Sequence, residues 1–495
     1  MIDVTSTFAG KEILLTGGNG FLGKVILGML LDRYPEIGRV HVLLRPRRDR
    51  TARERFQQEV LESPALRELV KARGRAFLEE KIEVWEGDAA TPSCGLDPGQ
   101  IRDWEGKLAL ILNSAGLVEF FPPVNESLHA NVESAEQLAA LAKRLDAALL
   151  HISTCYVAGR ADGLVEESEP IEGFYPLRQS PSDDAFDAAA ELSRLRSRIS
   201  EIGLDGAAND RAAREQLIEL GRGRAERWGW VNTYTFTKSL AEQVLVANRD
   251  LRLTIVRPAI VESSLEFPFP GWVEGGRTAA PLVLMALGGM ANWPARSDLA
   301  LEIVPVDMIA AGVLTAAAAL LTGEAAQVYH LATADRNPFE MEPLLELLHR
   351  EARRRGARMG GKLELLDEAS YRARITNLRE SARKSEERLS KWAEALDGMP
   401  GSGWARNRAA DLRRAGLQWG FREDVIEQYL PFVLQNRYIF EAQNIRETHA
   451  KLSPADREKL PWKPQSIDWP RYWRENQIEA WWVQPETVRE WSFQI

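Results

Sequence analysis

Short apolar runs alternate with longer stretches of helical periodicity over the first 155 residues of the chain. The runs are apolar on both faces, as expected for strands of a parallel sheet that is covered by helices on both sides. This alternation predicts an α/β fold with a doubly wound, Rossmann-type parallel sheet. The predicted strands cover residues 12–16, 40–45, 82–86, 108–113, 148–153 and 253–257, and the last ends at Pro258.

Two shifts in composition divide the rest of the chain. Residues 180–230 are rich in Ala, Glu and Arg at helical spacing, which predicts a helical insertion, either over or beside a site or as a solvated excursion. After Ala334 the same residue types return with leucine, and tryptophans accumulate towards the end. We therefore predict a first domain over residues 1–335, which includes the insertion, and a second, mainly helical, tryptophan-rich domain over residues 336–495. Residues 340–399 match no motif that assigns them a role.

A glycine-rich turn lies between the first predicted strand and the helix that follows it. Glycines allow a tight turn and let a pyrophosphate approach the backbone, and the N-terminus of the helix offers N–H groups to that anion. In this strand–turn–helix context the pattern predicts a dinucleotide-binding loop, and a purely structural turn is the alternative. The residues of the predicted loop are Thr16, Gly17, Asn19, Gly20, Phe21, Leu22 and Gly23.

The end of the second predicted strand indicates which dinucleotide binds. An NAD enzyme usually carries an acidic residue here, which binds the ribose 2′-hydroxyl. This sequence has Arg45, Arg47 and Arg48 instead, with Arg55 further on. A guanidinium group matches a phosphate with charge-assisted hydrogen bonds, so the sequence favours NADPH as the cofactor. A solvated basic turn is the alternative.

Further candidates for cofactor contacts follow the other strands. Asp88 comes directly after the third strand, where it is expected to contact the adenine. Small residues after the fourth strand would let the cofactor lie against the backbone. Besides Asp88, the predicted cofactor-binding residues are Ala89, Asn113, Ala115, Gly116, Pro258 and Ile260, together with the catalytic candidates Tyr234 and Lys238.

A Ser-Thr strand end and a Tyr-x-x-x-Lys pair indicate the chemistry. Tyr234 and Lys238 are four positions apart, so on a helix they project from one face. A lysine ammonium beside a phenol is expected to lower the pKa of the phenol, which could then donate a proton to a developing alkoxide. Thr154, at the end of the fifth strand, would help to hold that oxygen. These three residues are the predicted catalytic set.

Cys155 adjoins the proposed catalytic threonine and requires a separate interpretation. A cysteine can attack a thioester, but it needs a base, and His151 is the nearest histidine along the chain. On a strand His151 and Cys155 share one face, whereas Thr154 points to the other. We therefore interpret Cys155 as a packing residue.

Composition limits the classes of function. The formal net charge of −9 argues against bulk binding to nucleic acid. With two cysteines the chain cannot form a zinc site of four thiolates, and we predict no metal. The longest apolar stretch, residues 308–321, is too short to cross a bilayer, and the N-terminus lacks the pattern of a signal peptide. These features predict a cytoplasmic protein. The sequence does not decide whether the protein forms homo-oligomers.

With these residues in place, the chain resembles the alcohol-forming fatty acyl-CoA reductases, a family of extended short-chain dehydrogenase/reductases related to plant male-sterility proteins. The resemblance covers nearly the whole chain. It includes the glycine turn, the Ser-Thr-x-Tyr-Val strand end and the pair of Tyr234 and Lys238. More specific are residues 268–275 (PFPGWVEG) and 303–308 (IVPVDM), and in the C-terminal region residues 430–433, 444–446 and 467–473.

The resemblance implies reduction of a long-chain fatty acyl-CoA to a fatty alcohol through an aldehyde. It implies that Thr154, Tyr234 and Lys238 are catalytic and that Arg45 and Arg55 clamp the 2′-phosphate of NADPH. Hydride would pass to the thioester carbonyl while Tyr234 and Thr154 stabilise the oxyanion. Loss of the CoA thiol would leave the aldehyde, and a second reduction would give the alcohol.

Three other functions share parts of this pattern. An aldehyde-forming thioester reductase, acting on acyl-CoA or on a carrier-bound acyl chain, shares almost every nucleotide motif. A sugar-nucleotide epimerase or dehydratase usually has a compact, polar C-terminal region, which the tryptophan-rich tail does not resemble. A catalytically silent NADP sensor would not need the complete catalytic set. Peripheral membrane contact is a further hypothesis, based on Trp481 and Trp482, although tryptophans more often fill a core or line an acyl tunnel.

Overall fold

The computed structural model describes residues 1–180, 182–205, 211–275, 279–357, 360–395, 407 and 425–480. Trp481 and Trp482, on which the hypothesis of membrane contact rests, lie outside these residues. Among the described helices, none combines the length and the apolar character needed to cross a bilayer. The apolar stretch 308–321 lies in a helix whose residues are buried almost throughout.

A seven-stranded parallel sheet forms the centre of the fold, in the spatial order β11-β7-β5-β4-β1-β2-β3. This confirms the predicted doubly wound sheet, and the bounds of the predicted strands differ from the observed ones by one residue at most. The described strands are β1 (Glu12–Thr16), β2 (Arg39–Leu44), β3 (Ile82–Glu86), β4 (Leu108–Asn113), β5 (Ala148–Ile152), β6 (Asp162–Val165), β7 (Leu253–Pro258), β8 (Ile260–Glu262), β9 (Asn292–Pro294), β10 (Ile303–Pro305), β11 (Val328–Leu331), β12 (Glu364–Leu366) and β13 (Arg437–Phe440).

Helices cover the sheet, and two of them, α9 and α10, form the predicted helical insertion. The described α-helices are α1 (Val4–Phe8), α2 (Phe21–Arg33), α3 (Ala52–Phe56), α4 (Pro64–Arg73), α5 (Arg75–Lys81), α6 (Pro98–Trp104), α7 (Val124–Leu128), α8 (Ser134–Leu145), α9 (Ala188–Asp205), α10 (Arg211–Trp228), α11 (Thr233–Val246), α12 (Ala280–Leu287), α13 (Val306–Thr322), α14 (Met341–Arg354), α15 (Glu368–Ala395), α16 (Gln443–Ala450), α17 (Pro454–Lys459) and α18 (Trp469–Tyr472).

Two compact units interleave along the chain, and they do not follow the predicted boundary near residue 336. The first, which we call the sheet unit, comprises Met1–Glu274, Glu302–Pro338 and Tyr438–Ala480. Residues 438–480, predicted to belong to a separate C-terminal domain, are therefore part of the unit that contains the sheet. The described part of the second unit comes from Gly275–Leu301 and Phe339–Arg437.

Buried carboxylates explain why residues 438–480 pack with the rest of the sheet unit. Glu302 is 1% exposed, and its carboxylate accepts the N–H of Phe440 at 2.9 Å. Glu167, also buried, accepts the N–H of Asn444 at 2.7 Å and that of His330 at 2.8 Å. A buried carboxylate requires such partners, so each one fixes the segment that supplies the N–H groups.

The second unit is mainly helical in its described part. Helix α12 packs against α14, and the short strands β9 and β12 pair in parallel. Its longest described helix, α15, falls in the region without a recognised motif. Arg372 on α15 forms ion pairs with Glu368 at 2.9 Å and with Glu427 at 2.8 Å.

Candidate active site

The glycine turn between β1 and α2 lies at the carboxyl edge of the sheet. Gly17 has φ +67°, and a Cβ there would lie 2.6 Å from the carbonyl carbon of Ser114. At Gly23 a Cβ would lie 2.1 Å from the carbonyl oxygen of Gly17. No side chain can occupy either position, so the backbone of the turn packs directly against the end of β4 and the first turn of α2.

The first turn of α2 begins at Gly20, which has no side chain to cap the N–H groups that follow it. These N–H groups and the positive end of the helix dipole favour an anion such as a pyrophosphate. The turn therefore fits a dinucleotide by its shape and by its donors. The sequence predicted this from Gly17, Gly20 and Gly23.

Replacing Gly23 by alanine is expected to raise the dissociation constant of the dinucleotide by at least about tenfold, because the new methyl group requires the turn to shift. Gly28→Ala is the matched control. It lies on the same helix, where a Cβ would contact the ring of Phe267 at an ordinary 3.5 Å. Fluorescence titration of both variants tests this, and equal affinities would contradict it.

The two arginines of the predicted phosphate clamp have different surroundings. Arg45 follows β2, its side chain is 63% exposed, and it lies 3.6 Å from the carboxylate of Asp88. Arg55 is 7% exposed, and it pairs with Glu59 and donates a 2.6 Å hydrogen bond to the carbonyl of Arg45. Glu59 also accepts from the amide of Asn19 at 2.8 Å. Arg55 thus holds the loop that carries Arg45, and the guanidinium of Arg45 is the more accessible.

The remaining candidates for cofactor contacts mostly follow strand ends at the same edge of the sheet. Asp88 and Ala89 follow β3, Ala115 and Gly116 follow β4, and Pro258 and Ile260 lie at the end of β7 and the start of β8. Asp88 lies 3.5 Å from His129 as well as near Arg45. Because the carboxyl ends of parallel strands meet at one edge, these residues are brought to the side of the sheet that carries the glycine turn.

A buried row of polar side chains crosses the last residues of β1, β4 and β5, and it was not predicted as a unit. The N–H of Ala115 donates to the hydroxyl of Thr16 at 3.3 Å. That hydroxyl donates to Oδ1 of Asn113 at 2.7 Å, and the amide nitrogen of Asn113 lies 3.0 Å from Nδ1 of His151. Since an amide nitrogen only donates, the ring proton of His151 is on Nε2.

The row ends beside the predicted catalytic lysine. His151 is fully buried, and burial together with the charge of Lys238 holds its pKa well below the usual value. The ring is therefore neutral at physiological pH. Polar residues at the ends of otherwise apolar strands were the available signal for this row. The register that aligns Asn113 with His151 depends on the sheet and cannot be read from local sequence.

Asn131 was also not predicted as a residue of the site. It is 1% exposed, its oxygen accepts the N–H of Leu117 at 2.9 Å, and its amide nitrogen donates to the carbonyl of Leu117 at 3.2 Å. The same nitrogen donates to Thr237 at 3.1 Å. Asn131 thus connects the segment after Gly116 with α11, and no local motif marks it.

The structure joins Thr154 and Tyr234 and places Lys238 at the end of β5, the strand that leads into Thr154. A hydrogen bond joins the side chains of Tyr234 and Thr154. Lys238 is 3% exposed and donates to the carbonyl of Ile152 at 3.0 Å. A Cβ on Gly116 would lie only 3.0 Å from Nζ of Lys238, so the glycine allows the lysine to approach the backbone. Asn232 caps α11 through the N–H of Thr235 and fixes where this helix begins.

The expectation that Lys238 lowers the pKa of Tyr234 is wrong. Burial raises the pKa of Tyr234 above its usual value and outweighs the hydrogen bond with Thr154, which lowers it. Burial also lowers the pKa of Lys238 to about 8, although Glu242 raises it. Tyr234 is therefore a protonated phenol at neutral pH, which is the form that can donate a proton.

Cys155 is buried, and its thiol donates to the carbonyl of Arg257 at 2.8 Å. Burial and the nearby carboxylate of Glu302 raise its pKa well above the usual value. A thiol held in the protonated form is a poor nucleophile. The interpretation of Cys155 as a packing residue agrees with this.

Of the two sequence segments most specific to the resemblance, residues 268–275 contact helix α2, and Asp307 of residues 303–308 binds the backbone just before them. The ring of Trp272 packs on that of Phe21 with centroids 4.9 Å apart, and Glu274 pairs with Lys24. The carboxylate of Asp307 accepts the N–H groups of Leu265, Glu266 and Phe267 at 2.8–3.0 Å. Residues 272–274 therefore lie against the first turns of α2.

The fold and the site place the protein among the extended short-chain dehydrogenase/reductases, which are nicotinamide-dependent oxidoreductases. An NAD-binding family model described as "Male sterility protein" matches residues 15–313. The chain therefore belongs to the male sterility protein family.

Curated relatives agree with this assignment, and a solved structure shares the fold. The chain is 31% identical over 353 residues to "Probable fatty acyl-CoA reductase 4" of Arabidopsis thaliana, covering 68% of this chain and 69% of the relative. It is 29% identical over 351 residues to "Alcohol-forming fatty acyl-CoA reductase" of Simmondsia chinensis, covering 69% and 70%. The terminal R domain from the myxalamid PKS-NRPS biosynthetic pathway shares the fold, with a TM-score of 0.55 at 17% identity over 89% of this chain and 85% of that domain.

Proposed function

We propose that the protein reduces long-chain fatty acyl-CoA to fatty alcohol through an aldehyde intermediate, with NADPH as the reductant. The observation that carries the proposal is the hydrogen-bonded pair of Tyr234 and Thr154 beside the buried Lys238, at the edge of the sheet that holds the glycine turn. Relatives named fatty acyl-CoA reductases, including an alcohol-forming one, support the choice of substrate.

The residues of the site have complementary tasks in this proposal. When bound, the reduced dinucleotide supplies hydride to the acyl carbonyl. The hydroxyls of Tyr234 and Thr154 face the oxygen that gains negative charge, and Tyr234, protonated at neutral pH, delivers its proton to that oxygen. The buried ammonium of Lys238 adds positive charge near that oxygen. Collapse of the hemithioacetal returns the hydroxyl proton to the Tyr234 phenolate and breaks the carbon–sulfur bond, and the released CoA thiolate takes a proton from solvent. In the second reduction Tyr234 again gives its proton to the carbonyl oxygen, now that of the aldehyde, and regains one from solvent.

The preference for NADPH over NADH is part of the proposal and rests on Arg45. Arg45→Ala is expected to raise the KM for NADPH about tenfold or more and to leave the KM for NADH unchanged, because NADH lacks the 2′-phosphate that a guanidinium binds. Arg39→Ala is the matched control, since Arg39 is an exposed arginine at the opposite end of the same strand. Steady-state kinetics with both cofactors checks this, and a parallel loss with NADH would argue against a phosphate contact.

The experiment that tests the function follows NADPH oxidation, CoA release and products over a panel of acyl-CoA chain lengths. Reduction to the alcohol consumes two equivalents of NADPH for each CoA released, whereas reduction to the aldehyde consumes one. Fatty alcohol at the higher ratio supports the proposal. Aldehyde that accumulates under excess NADPH would favour the aldehyde-forming thioester reductase, and a carrier-bound substrate in parallel assays would distinguish the two thioesters.

A further inference from the structure

A short 3₁₀ turn, Cys155–Ala158, directly follows Thr154. Thr154 is its N-cap, and the hydroxyl of Thr154 accepts the N–H of Tyr156 at 3.3 Å. The turn ends at Gly159, whose φ is +64°. The position of the Thr154 hydroxyl therefore depends on how firmly this turn is held.

Side chains from distant parts of the chain bind the carbonyls of this turn. Nε1 of Trp230 donates to the carbonyl of Val157 at 2.8 Å. The hydroxyl of Tyr438 donates to the carbonyl of Gly159 at 2.8 Å, from 279 positions further along the chain. Tyr438 is 3% exposed, so this hydrogen bond is shielded from water.

The ring of Tyr438 also packs against the turn. It meets Tyr156 edge-on with centroids 5.1 Å apart, and it stacks on Phe440 at 5.4 Å. The ring of Phe440 also meets that of Tyr156 edge-on, with centroids 5.3 Å apart. The residue two positions after Thr154 thus packs against two aromatic side chains of β13.

Strand β13 is itself fixed in place. Its last residue, Phe440, donates its N–H to the carboxylate of Glu302, which also accepts the N–H groups of Thr333 and Ala334 at 3.1 and 3.0 Å. The N–H of Glu441 donates to the carbonyl of Val165 on the paired strand β6 at 3.0 Å. Tyr438 therefore projects from a rigid support, which a residue that positions another must have.

We propose that Tyr438 is a positioning residue for the reaction: its hydroxyl fixes the carbonyl of Gly159 and so orients the turn that presents Thr154 to Tyr234. The inference rests on the proposed function, since Thr154 has a catalytic task only in that reaction. Loss of the hydroxyl leaves the carbonyl of Gly159 without this donor and gives the turn freedom that Thr154 shares.

The test compares Tyr438→Phe with Tyr329→Phe. Tyr329 is also fully buried, and its hydroxyl accepts the N–H of Ala326 and bonds to Thr448 on α16, but it does not contact the turn. Both variants lose one buried hydroxyl whose hydrogen bond joins residues far apart along the chain. Tyr438→Phe is expected to lower kcat about tenfold with KM for acyl-CoA changed less than about twofold, and Tyr329→Phe is expected to leave kcat unchanged.

A double-mutant cycle with Thr154→Ala shows whether Tyr438 acts through the threonine. With Thr154 already replaced, Tyr438→Phe is expected to change kcat less than about twofold, because its effect depends on the lost hydroxyl. A full tenfold loss in that background, or an unchanged kcat for Tyr438→Phe alone, overturns the inference.

Hydrogen exchange of residues 154–159 gives a readout that does not depend on turnover. Tyr438→Phe is expected to accelerate exchange in this turn, and Tyr329→Phe is not. If the wild-type protein does not reduce acyl-CoA, the proposed function fails, and exchange still decides whether Tyr438 holds the turn. Equal exchange in both variants overturns the inference whatever the substrate is.

Discussion

Tyr234→Phe is expected to lower kcat/KM about a thousandfold and to leave dinucleotide affinity within about twofold of the wild type. The substitution removes one oxygen. The phenylalanine ring fits the same space on α11, so the helix and its Asn232 cap are preserved. What disappears is the hydroxyl that is bonded to Thr154 and that is protonated at neutral pH.

Steady-state kinetics and a fluorescence titration with NADPH check this expectation. Tyr329→Phe is a suitable control, because it removes a buried phenol hydroxyl in the same unit that bonds to Ala326 and Thr448 and not to Thr154. Turnover that survives in Tyr234→Phe would remove the tyrosine from the mechanism. A loss of cofactor affinity as large as the loss of turnover would instead indicate that the tyrosine mainly binds.

Lys238→Met is expected to lower kcat/KM by at least about a hundredfold and to remove the alkaline limb of the pH profile. Burial lowers the pKa of Lys238 to about 8, so in the wild type the ammonium is lost as the pH rises through about 8, and activity falls with it. The groups around it are the carboxylate of Glu242, which raises this pKa, and the neutral ring of His151. Arg257 neutralises Glu242 through a buried ion pair.

Profiles of kcat/KM between pH 6 and pH 10 test this assignment. Lys24→Met is the matched control: Lys24 is also buried, but it pairs with Glu274 beside the glycine turn and should leave the alkaline limb in place. A limb near pH 8 that persists in Lys238→Met would mean that another group titrates there.

Local pattern was sufficient for the features that local geometry determines. Apolar runs identified six of the seven strands of the sheet, all except β11, and the glycine spacing identified the turn. Both features depend on neighbours along the chain. The pair of Tyr234 and Lys238 was recognisable because four positions make one helical face. The ion pair of Arg55 with Glu59 has the same spacing and could have been predicted, although a phosphate contact was expected for Arg55 instead.

Features that depend on long-range packing were missed. The row from Thr16 through Asn113 to His151 requires the register of three strands. The pKa of Tyr234 was expected to fall, since the sequence shows the nearby lysine and does not show how deeply the phenol is buried. The grouping of residues 438–480 with the unit that contains the sheet could not be predicted, because no local pattern indicates that β13 pairs with β6.

The interleaved order of the two units has a consequence for synthesis. A ribosome that has made the glycine turn, helix α11 and every strand of the central sheet has still not made Tyr438 or Phe440. Until they emerge, Glu302 and Tyr156 lack the neighbours that cover them in the finished protein. A nascent chain therefore carries a nucleotide fold with an uncovered flank while the residues between β11 and β13 are being synthesised.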